Sequence, residues 1–536
     1  MGWPSQAEKM AKKLSTEAPK QPNIRPVSMA TSTTTRFSNP IQLFLRFKSE
    51  DSSHKTTYGS GWFGSHKPFA VTPVLSLLVL LIITTVGLEI SAAQVTGSDF
   101  VWTGLSAGSN NWSDGDNWVE GVAPSSSPTT SVLFADPSVQ SSSNVDIPAS
   151  TTEPPFQLGT LRYDTTAGDF TLDGDSITFN DQLSVAGGGR LTIFNGTLQF
   201  NTGATIELED NSTLNTTRLD GGPIDINGNG NLLFSLSTFT TADFVTDTDV
   251  TTIFDNCGIG EITIGESPTF NGRVIFRDSI VEFLGSDQTF NNDVEFESGQ
   301  FARVVSLNAS IAGTTTVRSG ATANFEFFSV VGGPGDLIVE SGGQLGVDAT
   351  SIINKTVEIE DGGRLFGVGT VDGGLRVRGN LDPGESVGTL TVDGDVELFE
   401  TTTTCIELSG SMDGEFDLIT SSFVDSPTGD LLLDGDLEIS FLDGFIPDAA
   451  DEFSFITGFN VSGTFQNTPL IGGSNLLSLT DGTFGTLVTS EGTFSIEYQT
   501  NSVRLFNFQA VPEPAAAIFL GILAIGLVTQ RRKTAA

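Results

Sequence analysis

Three tryptophans lie close together in the chain. Trp102, Trp112 and Trp118 all fall within VWTGLSAGSNNWSDGDNWVEG, which holds every tryptophan between residues 94 and 510. Grouped indole rings could form a platform that contacts the sugar rings of a carbohydrate. They could instead close the apolar end of a repeat structure, because indole is the largest apolar side chain available. We favour the second interpretation and keep carbohydrate contact as the alternative.

Four arginines are the nearest candidates for chemistry on an acidic polysaccharide: Arg318, Arg364, Arg376 and Arg378. Such chemistry needs basic side chains beside aspartates on one face, so that the carboxylates of the substrate are neutralised. Arg364 follows two glycines and Arg376 flanks an apolar alternation, so we expect both to point outward and to pair with acids. No carboxylate pair suited to glycoside hydrolysis stands out. We therefore assign no catalytic residue and do not expect an enzyme.

Histidine and charge exclude several function classes. Both histidines, His54 and His66, precede the apolar run at residues 69–88, so Ser-His-Asp catalysis and His-ligated zinc are excluded beyond it. The formal net charge of −40 would repel a nucleic acid. No cofactor or metal site is predicted. The recurring Asp-Gly steps lack the spacing of known calcium loops, which leaves only weak Ca²⁺ binding by the acidic surface.

A short phrase recurs along the middle of the chain. FRDSI, FESGQ, VRSGA, VESGG and IEDGG begin 20, 21, 22 and 20 positions apart, at Phe276, Phe296, Val317, Val339 and Ile359. Apolar and polar residues alternate up to the start of each phrase, and small turn-forming residues follow. A unit of this length cannot bury its apolar face alone. The repeat therefore predicts coils that stack on one another.

The predicted fold class is all-β: a parallel β-helix, or β-solenoid, in which each strand pairs with its copies one coil away at ~4.8 Å. The alternation places pairs such as Val274 and Phe276 on the inner face. An antiparallel sandwich array also has short strands and Asp-Gly turns, but the persistent period favours the solenoid. From about Thr401 the period fades, which predicts a β-sandwich-like closing segment.

The N-terminal part is typical of an export signal. Residues 1–68 are polar and basic, residues 69–88 are apolar, and Ser91-Ala92-Ala93 provide a small-residue cleavage site before Gln94. Met10 or Met29 could be the true start. A run of 20 apolar residues is also long enough to span a bilayer, so an uncleaved anchor is the alternative.

The C-terminal part has a different signature. Val511, Pro512, Glu513 and Pro514 precede an uncharged run at 515–528, and Arg531 and Arg532 follow it. The terminal bases favour a transmembrane helix with a cytoplasmic tail. This order of motif, short span and closing arginines resembles the PEP-CTERM sorting signal of bacterial envelope proteins. The resemblance covers about the last 26 residues, and it implies an exosortase-type processing enzyme as partner.

A second resemblance concerns the chain between the signals. The Asn-Trp steps near Trp112 and Gly-rich phrases such as GGRLFGVGTVDGG (Gly362 to Gly374) are similar to autotransporter-like β-solenoid passengers. Both resemblances together imply a capped solenoid that is exported and sorted. The predicted organisation is a basic leader at 1–68, a signal region at 69–93, a cap at 94–160, solenoid repeats at 161–400, a β-rich segment at 401–510 and the sorting signal at 511–536.

Two functional hypotheses remain. The first is a structural or adhesive protein of the cell envelope or extracellular matrix, tethered to the membrane before its tail is processed, with the export machinery and an exopolysaccharide as partners. The second is a polysaccharide-acting or carbohydrate-binding β-helix protein. Release of product from a panel of glycans would favour the second.

Overall fold

The computed structural model describes residues 100–511, without 136–140, 147–154, 165–168, 217, 222, 236–243, 258–261, 265–267, 284–287, 298, 306, 424–428 and 472–481. The predicted signal region at 69–93 and the helix predicted at 515–528 therefore lie outside the described residues. Within them, the ordered elements are 45 strands and one 3₁₀ turn, Gly115–Asn117. No helix in this part of the chain is long and apolar enough to cross a membrane.

The strands of the N-terminal third are β1 (Phe100–Trp102), β2 (Ser131–Ala135), β3 (Ser142–Val145), β4 (Phe156–Asp164), β5 (Asp169–Gly174), β6 (Ile177–Ala186), β7 (Arg190–Phe194), β8 (Leu198–Phe200), β9 (Thr205–Leu208), β10 (Thr213–Thr216), β11 (Leu219–Gly221), β12 (Ile224–Gly228), β13 (Asn231–Ser235), β14 (Phe244–Thr246) and β15 (Thr251–Asp255). The middle strands are β16 (Ile262–Ile264), β17 (Thr269–Phe270), β18 (Val274–Arg277), β19 (Ile280–Phe283), β20 (Gln288–Phe290), β21 (Val294–Phe296), β22 (Gly299–Val305), β23 (Asn308–Ile311), β24 (Thr315–Val317), β25 (Ala321–Glu326), β26 (Val330–Gly332), β27 (Leu337–Val339), β28 (Gln344–Val347), β29 (Ile352–Asn354) and β30 (Val357–Ile359). The last strands are β31 (Arg364–Gly367), β32 (Thr370–Val371), β33 (Leu375–Val377), β34 (Asn380–Pro383), β35 (Thr389–Val392), β36 (Val396–Leu398), β37 (Thr403–Leu408), β38 (Leu418–Thr420), β39 (Asp430–Leu433), β40 (Asp436–Phe441), β41 (Glu452–Thr457), β42 (Asn460–Gly463), β43 (Thr483–Val488), β44 (Gly492–Tyr498) and β45 (Ser502–Ala510).

These strands form three sheets that share one core. Sheet A has 21 strands, sheet B has 15 from β3 to β42, and sheet C has nine from β16 to β40. In the middle of the chain each coil visits sheet B, then C, then A, as β18, β19 and β20 do. Each strand there pairs in parallel with its equivalents in the adjacent coils, as β18 does with β15 and β21. The fold is an all-β parallel β-solenoid, which confirms this part of the predicted fold class.

The register reproduces the repeat. Phe276 pairs with Phe296, Phe296 with Val317, Val317 with Val339, and Val339 with Ile359. All five side chains are buried. The rings of Phe276 and Phe296 are stacked, with centroids 5.1 Å apart, a separation close to the ~4.8 Å spacing of parallel strands. Like residues therefore sit over like residues and form a continuous inner ladder.

The C-terminal part differs from the prediction in one respect. The solenoid does not end near residue 400, because β37 pairs in parallel with β34 and β40, and sheet B continues through β39 to β42. The period disappears from the sequence because the step from β36 to β39, Val396 to Leu431, is 35 residues long. The additional residues lie between β37 and β38 and between β38 and β39, while the strands keep their parallel stacking. Only β43, β44 and β45 are antiparallel, and they extend sheet A from β41.

One buried cation ties three coils together. Lys355 is the only lysine between residues 94 and 510 and is 3% exposed. Its Nζ donates to the carbonyl oxygens of Ile311, at 3.0 Å, and Gly313, at 3.3 Å, two coils earlier. A Cβ on Gly333 would lie 2.1 Å from the Ile311 oxygen, and one on Gly335 would lie 2.0 Å from the Gly313 oxygen. The intervening turn thus needs glycine where it passes these two oxygens.

The pKa of Lys355 is lowered to about 8 because burial disfavours the charged ammonium, although Asp336 opposes the shift. Between about pH 8 and its ordinary pKa of 10.5 the unfolded chain binds more protons, so stability rises with pH. From pH 8 to pH 9, the free energy of unfolding of the wild type should rise relative to that of Lys355→Met by up to about 1 kcal/mol, before solvent screening. Urea unfolding of both proteins measures this difference. Equal pH slopes would contradict it, and Thr356→Ala should keep the wild-type slope.

Candidate functional site

The three tryptophans form one buried cluster at the start of the solenoid. The ring centroid of Trp118 lies 5.1 Å from that of Trp102 and 5.5 Å from that of Trp112, both in edge-to-face geometry. All three side chains are buried. Trp118 Nε1 donates to the carbonyl oxygen of Trp112 at 2.9 Å, and Trp112 Nε1 donates to Ser143 Oγ at 3.1 Å. The indoles pack over the first coils, in the arrangement expected of a cap.

The surrounding elements explain this position. Strand β1 pairs in parallel with β2, and β2 pairs with β4, so the strand that carries Trp102 is the first rung of sheet A. Asp114 caps the following 3₁₀ turn by accepting from Asp116 N–H at 3.1 Å. Trp118 directly after that turn is thereby directed back onto Trp102. Burial of all three indoles favours the packing interpretation, while carbohydrate contact stays a hypothesis.

The outer face of sheet B carries a ladder of ion pairs between coils. Arg318 contacts Glu295 of the preceding coil, Nη2 to Oε2 at 2.9 Å, and Glu340 of the following coil. Arg376 Nε lies 3.5 Å from Glu397 Oε2 one coil later, and Arg378 pairs with Glu358 one coil earlier. Opposite charges on neighbouring strands stabilise a sheet pair by pair.

Glu295 is the most buried acid of this ladder, with 7% of its surface exposed. Arg273 Nε donates to its Oε1 at 2.7 Å, and Arg318 binds its Oε2 from the other side. Burial raises the pKa of Glu295, but the hydrogen bonds and charges of the two arginines outweigh burial, so the pKa is lowered overall. The carboxylate is therefore held ionised between two coils.

The four arginines do not converge on one site. Arg364 begins β31 in sheet C and pairs with Asp382, whereas the other three lie on or directly after strands of sheet B. The expectation that Arg364 and Arg376 pair with acids is confirmed. Arg378 also lies over the ring of Phe399, with Cζ 4.0 Å from the centroid. Ion pairing and ring packing account for these arginines without a substrate.

A groove of about 450 Å³ runs along the outer edge of sheet B. Its charged lining consists of Asp336, Arg376, Asp395, Glu397 and Asp430. Gly374 also lines the groove and contributes no side chain to it. Several carboxylates beside an arginine are the groups that acid–base cleavage of a glycosidic bond requires.

Two of these carboxylates already have partners within the protein. Asp395 Oδ1 accepts the N–H of Asp430 at 3.0 Å, which fixes the start of β39. Glu397 is the ion-pair partner of Arg376. Among the described residues, no group of three or more His, Cys, Asp or Glu side chains is arranged to hold a metal ion. The groove is thus an acidic surface feature in which Asp395 binds a backbone N–H and Glu397 forms an ion pair.

Two features were missed by reasoning from sequence. Phe327 and Phe328 form an exposed aromatic turn between β25 and β26, and an isolated FF pair carries no signal that it points outward. Asp417 is buried, and it accepts the N–H of Gly388 and that of Glu407, each at 2.7 Å. Burial raises its pKa to about 7, because the desolvation cost exceeds the effect of the two donors.

Of the predicted sorting motif, the structure describes only Val511, which is exposed and donates its N–H to the Glu491 carbonyl oxygen at 2.8 Å. Residues Pro512, Glu513, Pro514, Arg531 and Arg532 lie outside the described residues. The predicted motif thus begins directly after β45, the last strand of the solenoid body.

Comparison with protein-family models, with curated proteins and with solved structures finds no match to this chain.

The ion-pair ladder predicts unequal effects of two arginine substitutions. Arg318→Met leaves the nearly buried Glu295 with one partner and should lower the free energy of unfolding by about 1–3 kcal/mol. Arg376→Met removes an exposed pair and should cost no more than about 0.5 kcal/mol. The difference between the stability losses of the two variants should become smaller below pH 4.5, the ordinary glutamate pKa, because Glu295 becomes protonated. Equal costs in urea unfolding at pH 7 would contradict the ladder.

The tryptophan cluster predicts a loss of stability. Trp118→Ala removes a buried indole from contact with two others and should cost about 3–5 kcal/mol, measured by chemical unfolding with near-ultraviolet circular dichroism. Val119→Ala, at the exposed neighbouring position, is the control and should cost less than ~0.5 kcal/mol. Loss of glycan retention with an unchanged unfolding midpoint would instead support a carbohydrate platform.

Proposed function

We propose that this protein is a structural or adhesive β-solenoid of the cell envelope or extracellular matrix, exported by its N-terminal signal and sorted by its C-terminal motif. Its role is that of a scaffold: the stacked coils form long, regular faces to which other surface components bind. The fold is consistent with this role, because a solenoid distributes contacts evenly along its length.

The observation that carries the proposal is the continuity of the ladder. Fifteen strands of sheet B stack from β3 to β42. Several arginines on their outer face form ion pairs that join neighbouring coils, as Arg318 does with Glu295 and Glu340. Side chains that elsewhere could act on a substrate are here used between coils. That use favours a scaffold over a catalyst.

Mass spectrometry of the protein from its own cells tests the sorting. The expected N-terminus is Gln94, and the expected C-terminus lies within residues 511–536, with the protein in the envelope or medium. Pro512→Ala, Glu513→Ala and Pro514→Ala combined should leave the tail intact, whereas Gln509→Ala, at an exposed position just ahead of the motif, should be processed normally. An intact wild-type chain recovered from the cytoplasm would overturn the proposal.

A second candidate function is action on a polysaccharide, and the acidic groove beside Arg376 favours it. Incubating the purified protein with a panel of glycans and measuring reducing ends or unsaturated products tests this candidate. Product that is lost in both Asp395→Asn and Glu397→Gln would establish it. No product from the wild-type protein would leave the scaffold role as the better explanation.

A further inference from the structure

Two exposed phenylalanines stand together at one corner of the solenoid. Phe327 is 51% exposed and Phe328 is 73% exposed, in the turn that joins β25 of sheet C to β26 of sheet A. Directly after this turn, Val330 on β26 pairs with Ile352 on β29, and both side chains point away from the core. The corner therefore presents a small apolar patch beside the outer face of sheet A.

The backbone of this turn is strained. Phe327 has φ 53° and Phe328 has φ 64°, both in the left-handed region. All other non-glycine residues with positive φ in the described parts of the chain are Asn or Asp: Asn195, Asp210, Asn211, Asn256, Asp278, Asp443 and Asn507. Asp210 and Asn211 also have two consecutive positive φ angles, but Asp and Asn tolerate this conformation. A bulky apolar side chain in this conformation is a true outlier and points to a role outside folding.

The next coil holds the turn in place. Asp348 Oδ2 accepts the Phe327 N–H at 2.8 Å, and Thr350 Oγ1 accepts the Phe328 N–H at 3.0 Å. Asp348 Oδ1 in turn accepts from Thr350 N–H and from Ser351 Oγ, which fixes the position of both acceptors. The side chains of Asp348 and Thr350 thus accept both backbone N–H groups of the strained turn. The two phenylalanine rings remain exposed.

The adjoining face is neutral. The nine sheet A strands from β14 to β38 (β14, β17, β20, β23, β26, β29, β32, β35 and β38) contain no charged residue, and their outward positions carry mainly hydroxyl and amide groups. Examples on either side of the patch are Asn308, Ser310, Asn354 and Thr370. Sheet B, in contrast, carries the ion-pair ladder. A neutral hydroxylated ligand suits sheet A, and a polyanion would be repelled by the acidic protein.

We propose that Phe327 and Phe328 form a stacking site for the sugar rings of a neutral polysaccharide that lies along the outer face of sheet A. A pyranose ring presents C–H groups on its face, which pack on an aromatic ring, and hydroxyl groups at its edge, which suit Thr, Ser and Asn. Four apolar side chains are far fewer than the 20–30 residues a side of a stable protein interface, so a second copy of the chain is not the occupant. The site deepens the proposed adhesive role and rests on it.

The test replaces Phe327 with Asn and Phe328 with Gly in the full-length protein. Asn-Gly is the pair that prefers two consecutive positive φ angles, so the fold should gain stability and the thermal midpoint should rise. Affinity electrophoresis in gels containing dextran, mixed-linkage β-glucan or alginate should show the wild type retarded by a neutral glucan and not by alginate. The double variant should bind about tenfold more weakly. Phe423→Ala, which removes another half-exposed ring, should bind as the wild type does.

Each outcome is decisive. Weaker binding with a raised thermal midpoint supports the site, because a ring pair needed for packing would lower the midpoint. A lowered midpoint in the double variant overturns the proposal, as does unchanged retardation. In the latter case the adhesive role stands and the site lies elsewhere. A wild type retarded by alginate alone, or by none of the three glycans, also overturns the site, and the last result counts against the adhesive role itself.

Discussion

The structure depends on one constraint: each coil must return to the same register, so that every inward side chain stacks on its equivalent one coil away. Where the connecting loops are short, this return takes about twenty residues. Parallel pairing at ~4.8 Å brings Phe276 over Phe254 and under Phe296 with rings stacked. Burial of such ladders supplies the core, and their outward counterparts are aligned by the same register. Cross-coil ion pairs, such as those of Arg318, follow from the alignment and add to it.

The period and the inner alternation could be predicted because they repeat. Val274, Phe276 and their equivalents recur at a fixed interval, and no other fold aligns them so simply. Beyond Val396 the interval lengthens to 35 residues, and the period is lost although the stacking persists. Loop length between coils is not constrained by the core, so a sequence period marks only the coils with short loops.

Individual deviations from the repeat could not be predicted. Lys355 replaces a turn residue, and its role appears only when Gly333 and Gly335 are seen to expose the carbonyl oxygens of Ile311 and Gly313. Phe328 would be assigned to the core by hydrophobicity, yet its left-handed backbone turns it outward. Lys355 depends on carbonyl oxygens two coils earlier, 44 and 42 residues away, and Phe328 depends on a side chain of the next coil, 22 residues away. The tryptophans, whose grouping near one end does indicate a cap, are the contrasting case.

The most direct test of the stacking is a disulfide between register partners. Thr289 on β20 and Ser310 on β23 pair on the outer face of sheet A, and parallel partners at ~4.8 Å suit a disulfide. The protein has two free cysteines, Cys257 and Cys405, which are replaced by alanine in both test proteins. Thr289→Cys with Ser310→Cys should then form the bond quantitatively under mild oxidation, whereas Thr289→Cys with Asn354→Cys, three coils apart, should not. Failure of the first pair to link, or equal linkage of both, would contradict the in-register solenoid.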